Sequence, residues 1–429
     1  MDMQTSLEQK TLFWPSRTQI VRLACSAAGI LLLLSVAADL RPVFAQQSQQ
    51  SKPDEPYTSP LEITKPDPLL PQWPLKKPLT PLEVQALTTA LDELNQQATA
   101  QLQAGNLAEA FKIWYRELRL RRFLGPLAEV EALTRVAKIA LSQNQTTQVQ
   151  LITQRLQVIY LEAQAQPPIT PQLLQALGDV FVLVQAKQSA VDVYQQILAN
   201  AQARQDVPAQ EIALKTIAEL YFGGLNFSEA AVAYEQLLAI SEAKVNRSEQ
   251  TRLEEDTYLQ QLAFIYAHSQ QHQKALDVRT KILNRYRIAK DPTQVAALKI
   301  AMGEDYEVLG RLGKAAQFYQ EAYTLAWQLQ QYARAGEALQ NLAALYLSQN
   351  ELEAALQVYQ ILVVVDQRGY NFFGMMDTYD RIGKIYLARQ AFTQALAAFQ
   401  KGLEIAQQLK YQEDYFSRQI ELVNQKRSP

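Results

Sequence analysis

Residue types recur at intervals of about forty positions through three-quarters of this chain, and that period limits the fold more than any other feature. The stretch from Gly336 to Gln367 carries Leu339, Leu342, Ala343, Tyr346, Asn350, Leu352, Ala355 and Tyr359. Forty residues later stand Tyr379, Ile382, Gly383, Tyr386, Phe392, Ala395 and Phe399, and forty earlier Met302, Gly303, Tyr306, Gly310, Leu312, Ala315 and Tyr319. Units start near 91, 130, 171, 211, 256, 296, 336 and 376. A regular period of this length means a stacked array, because each unit can bury its apolar face only against a neighbour. At 429 residues and 48% hydrophobic, the chain is also too long for one ordinary core.

Within a unit the pattern is that of two antiparallel helices. The eighth place is always small (Ala98, Ala137, Gly178, Ala218, Ala263, Gly303, Ala343, Gly383), and the twentieth is alanine in every unit except at Val149. Those are the places where two helix axes cross closest, and larger side chains would push them apart. Aromatics fill the gaps beside them at the eleventh place, as in Phe181, Tyr221 and Tyr346, and at the twenty-fourth, as in Trp114, Tyr194, Tyr319 and Phe399. The fifteenth place holds Gly105, Asn144, Gly310 and Asn350 in four units, residues that tolerate the left-handed conformation ending a helix. Two units depart from the pattern, with Ala140 and Thr153 in one and Arg279 in another where aromatics stand elsewhere.

From 91 to about 409 this pattern resembles that of tetratricopeptide repeats, in the longer-period form found in kinesin light chains. The resemblance implies an all-α fold, a right-handed α-solenoid of about eight hairpins over 82–429, with each first helix lining a concave inner wall. The polar helix expected over 413–426 would cap the last hairpin. It also implies that protein or peptide partners lie in the groove. Some members hold a partner's terminal carboxylate with an asparagine at the ninth place; none occurs there in this chain, so no such clamp is expected.

The N-terminal part differs. Residues 23–38 form an apolar run preceded by Lys10, Arg17 and Arg22, and Val43-Phe44-Ala45 offers a small-residue cleavage site, so 1–45 reads as a secretory signal. The alternative is an uncleaved anchor over 23–38. Export places the protein in a periplasmic or other extracytoplasmic space; retention of the run places it at a membrane. Residues 46–81 hold nine of the eighteen prolines and read as a linker, whose Leu69, Leu70, Trp73 and Leu75 are candidates for docking on the array. Thr80-Pro81-Leu82-Glu83 then opens the first helix. The 41 basic and 43 acidic side chains nearly cancel, so no global field draws the chain to nucleic acid. Cys25, the one cysteine, falls within the signal, which leaves no thiol chemistry in a cleaved chain.

No nucleophile–base signature or phosphate loop occurs, and no cofactor is expected. His268 and His272 stand four apart but straddle a hairpin turn and have no evident third metal ligand. Arg116, Arg119, Arg121 and Arg122 are either a basic patch for phospholipid or an acidic partner, or a solvated outer face shared with Glu117. Helical periodicity turns the second, fifth, ninth and twelfth places of each unit toward the groove. The partner-binding candidates there are Lys138, Lys215, Glu219, Phe222, Glu304, Gln340, Asp380 and Lys384, joined by Phe372 and Phe373 in the last inter-hairpin turn. The function expected is a non-enzymatic scaffold in envelope or membrane-complex assembly. A membrane-anchored sensor or adaptor is the alternative, followed by an unrecognised envelope enzyme or enzyme subunit.

Overall fold

The structure is a computed structural model and describes residues 59–427 apart from Trp73, Leu75 and Lys76. The apolar run, the cleavage site and the linker as far as residue 58 therefore lie outside the described residues. So do Trp73 and Leu75. Among the described residues, no helix is long and apolar enough to cross a membrane.

The described residues form an all-α solenoid of eight helical hairpins and one further helix. The hairpins are α1 (Pro81–Gln103) with α2 (Leu107–Arg121), α3 (Pro126–Ser142) with α4 (Thr146–Gln164), α5 (Pro171–Leu183) with α6 (Lys187–Ala203), and α7 (Val207–Gly223) with α8 (Phe227–Glu242). They continue as α9 (Glu249–His268) with α10 (His272–Ala289), α11 (Val295–Val308) with α12 (Leu312–Gln328), α13 (Tyr332–Ser348) with α14 (Leu352–Arg368), and α15 (Phe372–Ala388) with α16 (Phe392–Leu409). Helix α17 (Glu413–Arg427) packs on α16 and buries Phe416 and Val423. At the start of α1, the Thr80 amide donates to Glu83 Oε2 at 2.7 Å and the Glu83 amide to Thr80 Oγ1 at 3.4 Å, a reciprocal cap.

The crossings follow the small places. Ala98, Ala137, Ala218 and Ala343 are fully buried. Where glycine replaces alanine, the aromatic of the same hairpin sits on it: an added Cβ would lie 2.9 Å from the Tyr194 ring at Gly178, 2.5 Å from Tyr319 at Gly303 and 2.6 Å from Phe399 at Gly383. The turn inside each hairpin is the same in all eight. The fifteenth residue takes positive φ, including Gln185 (58°), Leu225 (61°), Gln270 (59°) and Gln390 (58°), where the sequence gives no glycine or asparagine. The next amide donates back to the eleventh residue's carbonyl, as Asn226 does to Tyr221 at 2.9 Å.

The two atypical units are hairpins as well. Arg279 is buried in place of an aromatic and forms an ion pair with Asp305, which is 2% exposed, while its Nη1 donates to the Ala301 carbonyl at 3.0 Å. His272 Nδ1 stands 2.9 Å from the same carboxylate. The α10–α11 junction therefore carries a buried charge pair with a histidine beside it. Further buried carboxylates tie successive helices: Glu117 to Arg135, Glu129 to Arg155, and Glu255 to Arg285.

The four arginines of α2 and its end do not form a solvated face. Residues 59–72 lie over them. Arg116 grips Asp67 through two 2.8 Å bonds, Arg119 donates to the Pro60 carbonyl at 2.5 Å, and Arg122 donates to the Leu61 carbonyl at 2.6 Å. Arg121 turns to Asp92 and Glu117, and Glu117 is fully buried. Leu61 enters the core of the first hairpins and Leu70 packs with Leu87, Leu91 and Leu94. The Arg116 hydrogen bonds hold the Asp67 carboxyl below its ordinary range, and burial lowers Arg119 and Arg122 from theirs.

Candidate protein-interaction face

Helices α3, α5, α7, α9 and α13 bury their third, fourth, seventh and eighth places, so helical geometry turns the second, fifth, ninth and twelfth outward, whereas α1 exposes Glu93 and Gln97 and α11 buries Ile300 at its fifth place. In α5 this buries Leu173, Leu174, Leu177 and Gly178 and exposes Gln172, Gln175, Asp179 and Val182. In α7, Leu214, Ile217 and Ala218 are buried while Ile212, Lys215 and Glu219 are exposed. Lys138 on α3 and Gln340 on α13 are exposed in the same register. Helices α3 and α5 pack directly against each other. A shallow cleft of about 560 Å³ opens between them, lined by Leu127, Glu131, Pro171, Gln172, Gln175, Ala176 and Asp179.

Three of the sequence candidates are more enclosed. Phe222 is half-buried in an aromatic cluster, 6.2 Å from Phe227 and 5.6 Å from Phe264 between ring centroids. Glu304 is half-buried and accepts from Asn341 Nδ2 at 3.4 Å. Asp380 is buried, 8% exposed, rather than open to a groove, because α17 closes over it: Tyr415 Oη donates to it at 2.8 Å and Lys384 Nζ at 2.6 Å. Lys384 itself is exposed and lies 5.6 Å over the Tyr415 ring. Capping by α17 was visible in the sequence, but its reach to the fifth place of the last hairpin was not.

Phe372 and Phe373 are both exposed, at 40% and 56%, and Phe373 meets Tyr411 edge-on at 5.7 Å. They sit at the start of α15, outside the first-helix register. His268 stacks on Phe264 at 3.8 Å, and His272 serves the Arg279–Asp305 pair, so the two histidines face different partners. Among the described residues no group of three metal-ligating side chains converges. A second cleft, of about 490 Å³ and lined by Tyr323, Trp327, Ile361 and Val364 among others, lies between the second helices α12 and α14. Its apolar residues share the helix period with the core, which hid it in the sequence.

No protein-family model matches the chain, and comparison with curated proteins gives no match. Solved structures similar to it include a signal-transduction ATPase with a tetratricopeptide repeat sensor from Pyrococcus horikoshii. The two are 15% identical, with 81% of this chain and 50% of that one covered and a TM-score of 0.40. RapI in its apo form is 12% identical over 79% of this chain and 98% of its own, with a TM-score of 0.37. The C-terminal part of a tetratricopeptide-repeat protein from Cytophaga hutchinsonii is 14% identical over 63% and 95%, with a TM-score of 0.38. Likeness at these levels carries no inference about what this chain binds.

Proposed function

We propose that the protein is a non-catalytic scaffold that binds a protein partner as an extended segment laid across its first helices. The supporting observation is the outward register of α3, α5 and α7. Their buried places repeat from hairpin to hairpin, while Glu131, Lys138, Gln175, Asp179, Ile212, Lys215 and Glu219 change from one to the next and are exposed. A repeated frame with a varying face can discriminate partners without altering the fold.

The test is retention of a partner by the chain carrying Lys215→Ala, Glu219→Ala and Gln340→Ala together. These side chains are exposed, so the thermal midpoint should hold. Affinity should fall about tenfold or more if two or three contacts are lost. Unchanged capture would count against this face.

The setting we propose is the exported side of a membrane, in assembly of envelope or membrane complexes. It rests on the residue pattern over 23–45. The mass of the native N-terminus decides between a cleaved signal and a retained anchor, and retention would favour an anchored sensor or adaptor.

A further inference from the structure

We propose that the cleft between α3 and α5 seats a lysine or arginine side chain of the bound segment; this rests on the scaffold reading above. With the enclosed Asp380 set aside, the second, fifth, ninth and twelfth places of the eight first helices hold eight acids, three lysines and no arginine, although acids and bases are nearly equal, 43 to 41, over the whole chain. In the cleft two acids meet and no basic residue lines it. Glu131 and Asp179 both line it, and α5 contains no basic residue. On α3, Arg135 is turned away to Glu117, and Lys138 stands two helical turns beyond Glu131.

Asp179 is also held in place. Tyr194 Oη donates to its Oδ1 at 2.8 Å and Gln175 Nε2 at 2.9 Å. Both donors are neutral, so the carboxylate is oriented without being neutralised, and a cation entering the cleft meets a fixed charge. Leu127 and Pro171 give the cleft apolar wall for the methylene stem of a long basic side chain. Two carboxylates and two glutamines, all exposed, fall short of the roughly six to eight oxygens that calcium gathers.

Packed helices lie roughly 8–10 Å apart and an extended chain advances about 3.3 Å per residue, so about three residues separate contacts on α3 from contacts on α5. Val182 and Ile212, 39% and 62% exposed, are the apolar contacts next along the face. The fitting segment therefore pairs a basic residue with an apolar one a few positions away, in either direction.

The experiment measures fluorescence anisotropy of the full chain with three short synthetic peptides, alike except that the repeated polar residue between leucines is Lys, Gln or Glu. The Lys peptide should bind about tenfold or more tightly than the others. It should weaken by a similar factor with Glu131→Gln and Asp179→Asn combined, and as salt rises. In Asp179→Asn the side-chain amide oxygen can still accept from Tyr194, and circular dichroism of the variant checks the fold. Equal binding of the Gln or Glu peptide, or Lys binding that ignores the double substitution, overturns the basic seat. In that case, crosslinks from the bound peptide to α5 and α7 would leave the scaffold reading standing. If none of the three peptides binds, the basic seat fails, and the scaffold reading is decided separately by partner capture with the Lys215→Ala, Glu219→Ala and Gln340→Ala chain.

Discussion

Substitution of Gly303 by alanine tests whether glycine sets the spacing of a hairpin. An alanine Cβ would stand 2.5 Å from Cε1 and 2.7 Å from Cδ1 of Tyr319, a ring with no solvent exposure. Ordinary contact begins near 3.4 Å, so the ring or the α11–α12 spacing must yield by about an ångström. Such overpacking costs about 1–3 kcal/mol, against which removing a mid-helix glycine returns about 1 kcal/mol. The expected result is a net loss of about 1 kcal/mol, centred on these two helices. Gly313 is the control: its added Cβ meets nothing within 4 Å, so Gly313→Ala keeps only the propensity gain, up to about 1 kcal/mol. Hydrogen exchange read by helix suits an array, whose hairpins need not unfold together. Tyr319→Leu should relieve the clash, giving a coupling of about 1–2 kcal/mol in a double-mutant cycle. The reasoning fails if Gly303→Ala stabilises α11 and α12 as much as Gly313→Ala stabilises its surroundings, with no coupling to Tyr319.

Leu225 holds a left-handed φ of 61° at 73% exposure, so Leu225→Gly should raise the urea midpoint by the equivalent of about 0.5–1 kcal/mol. Arg116→Ala frees Asp67, and protease should then cut residues 59–72 several-fold faster while helicity stays constant. Asp366 is 4% exposed, and burial raises its pKa against the opposing hydrogen bond from Asn371. A raised carboxyl favours the protonated fold, so its contribution is present below the unfolded value near 4 and lost as pH rises through the folded one. Asp366→Asn should therefore be more stable than the parent at neutral pH by about 1 kcal/mol, an advantage that disappears in acid.

The frame was legible because its constraints are local and repeated. A small residue at the eighth place has one physical reason, close approach of two axes, and eight copies make it unmistakable. The left-handed turn was only half legible: glycine and asparagine announce it at Gly105, Asn144, Gly310 and Asn350, whereas Gln185 and Leu225 adopt it because the rigid hairpin demands it. Contacts between distant residues were not legible. Asp67 and Arg116 are 49 positions apart, and only the three-residue spacing of Arg116, Arg119 and Arg122, which puts them on one helix face, hinted at a shared partner. The same applies to Asp380, whose enclosure depends on where Tyr415 lands. Arg279 is different again, a local break in the pattern whose resolution needed Asp305 from the next hairpin.

A photocrosslinking residue placed in the native host tests most directly whether partners occupy the first-helix face. The sites are Gln175 and Gln340 on first helices, and Val158 and Gln360 on second helices, all exposed. Crosslinks to the same partner from Gln175 and Gln340, with none from Val158 or Gln360, are the expected result. Crosslinks confined to Val158 and Gln360 would contradict the account and move recognition to the second helices.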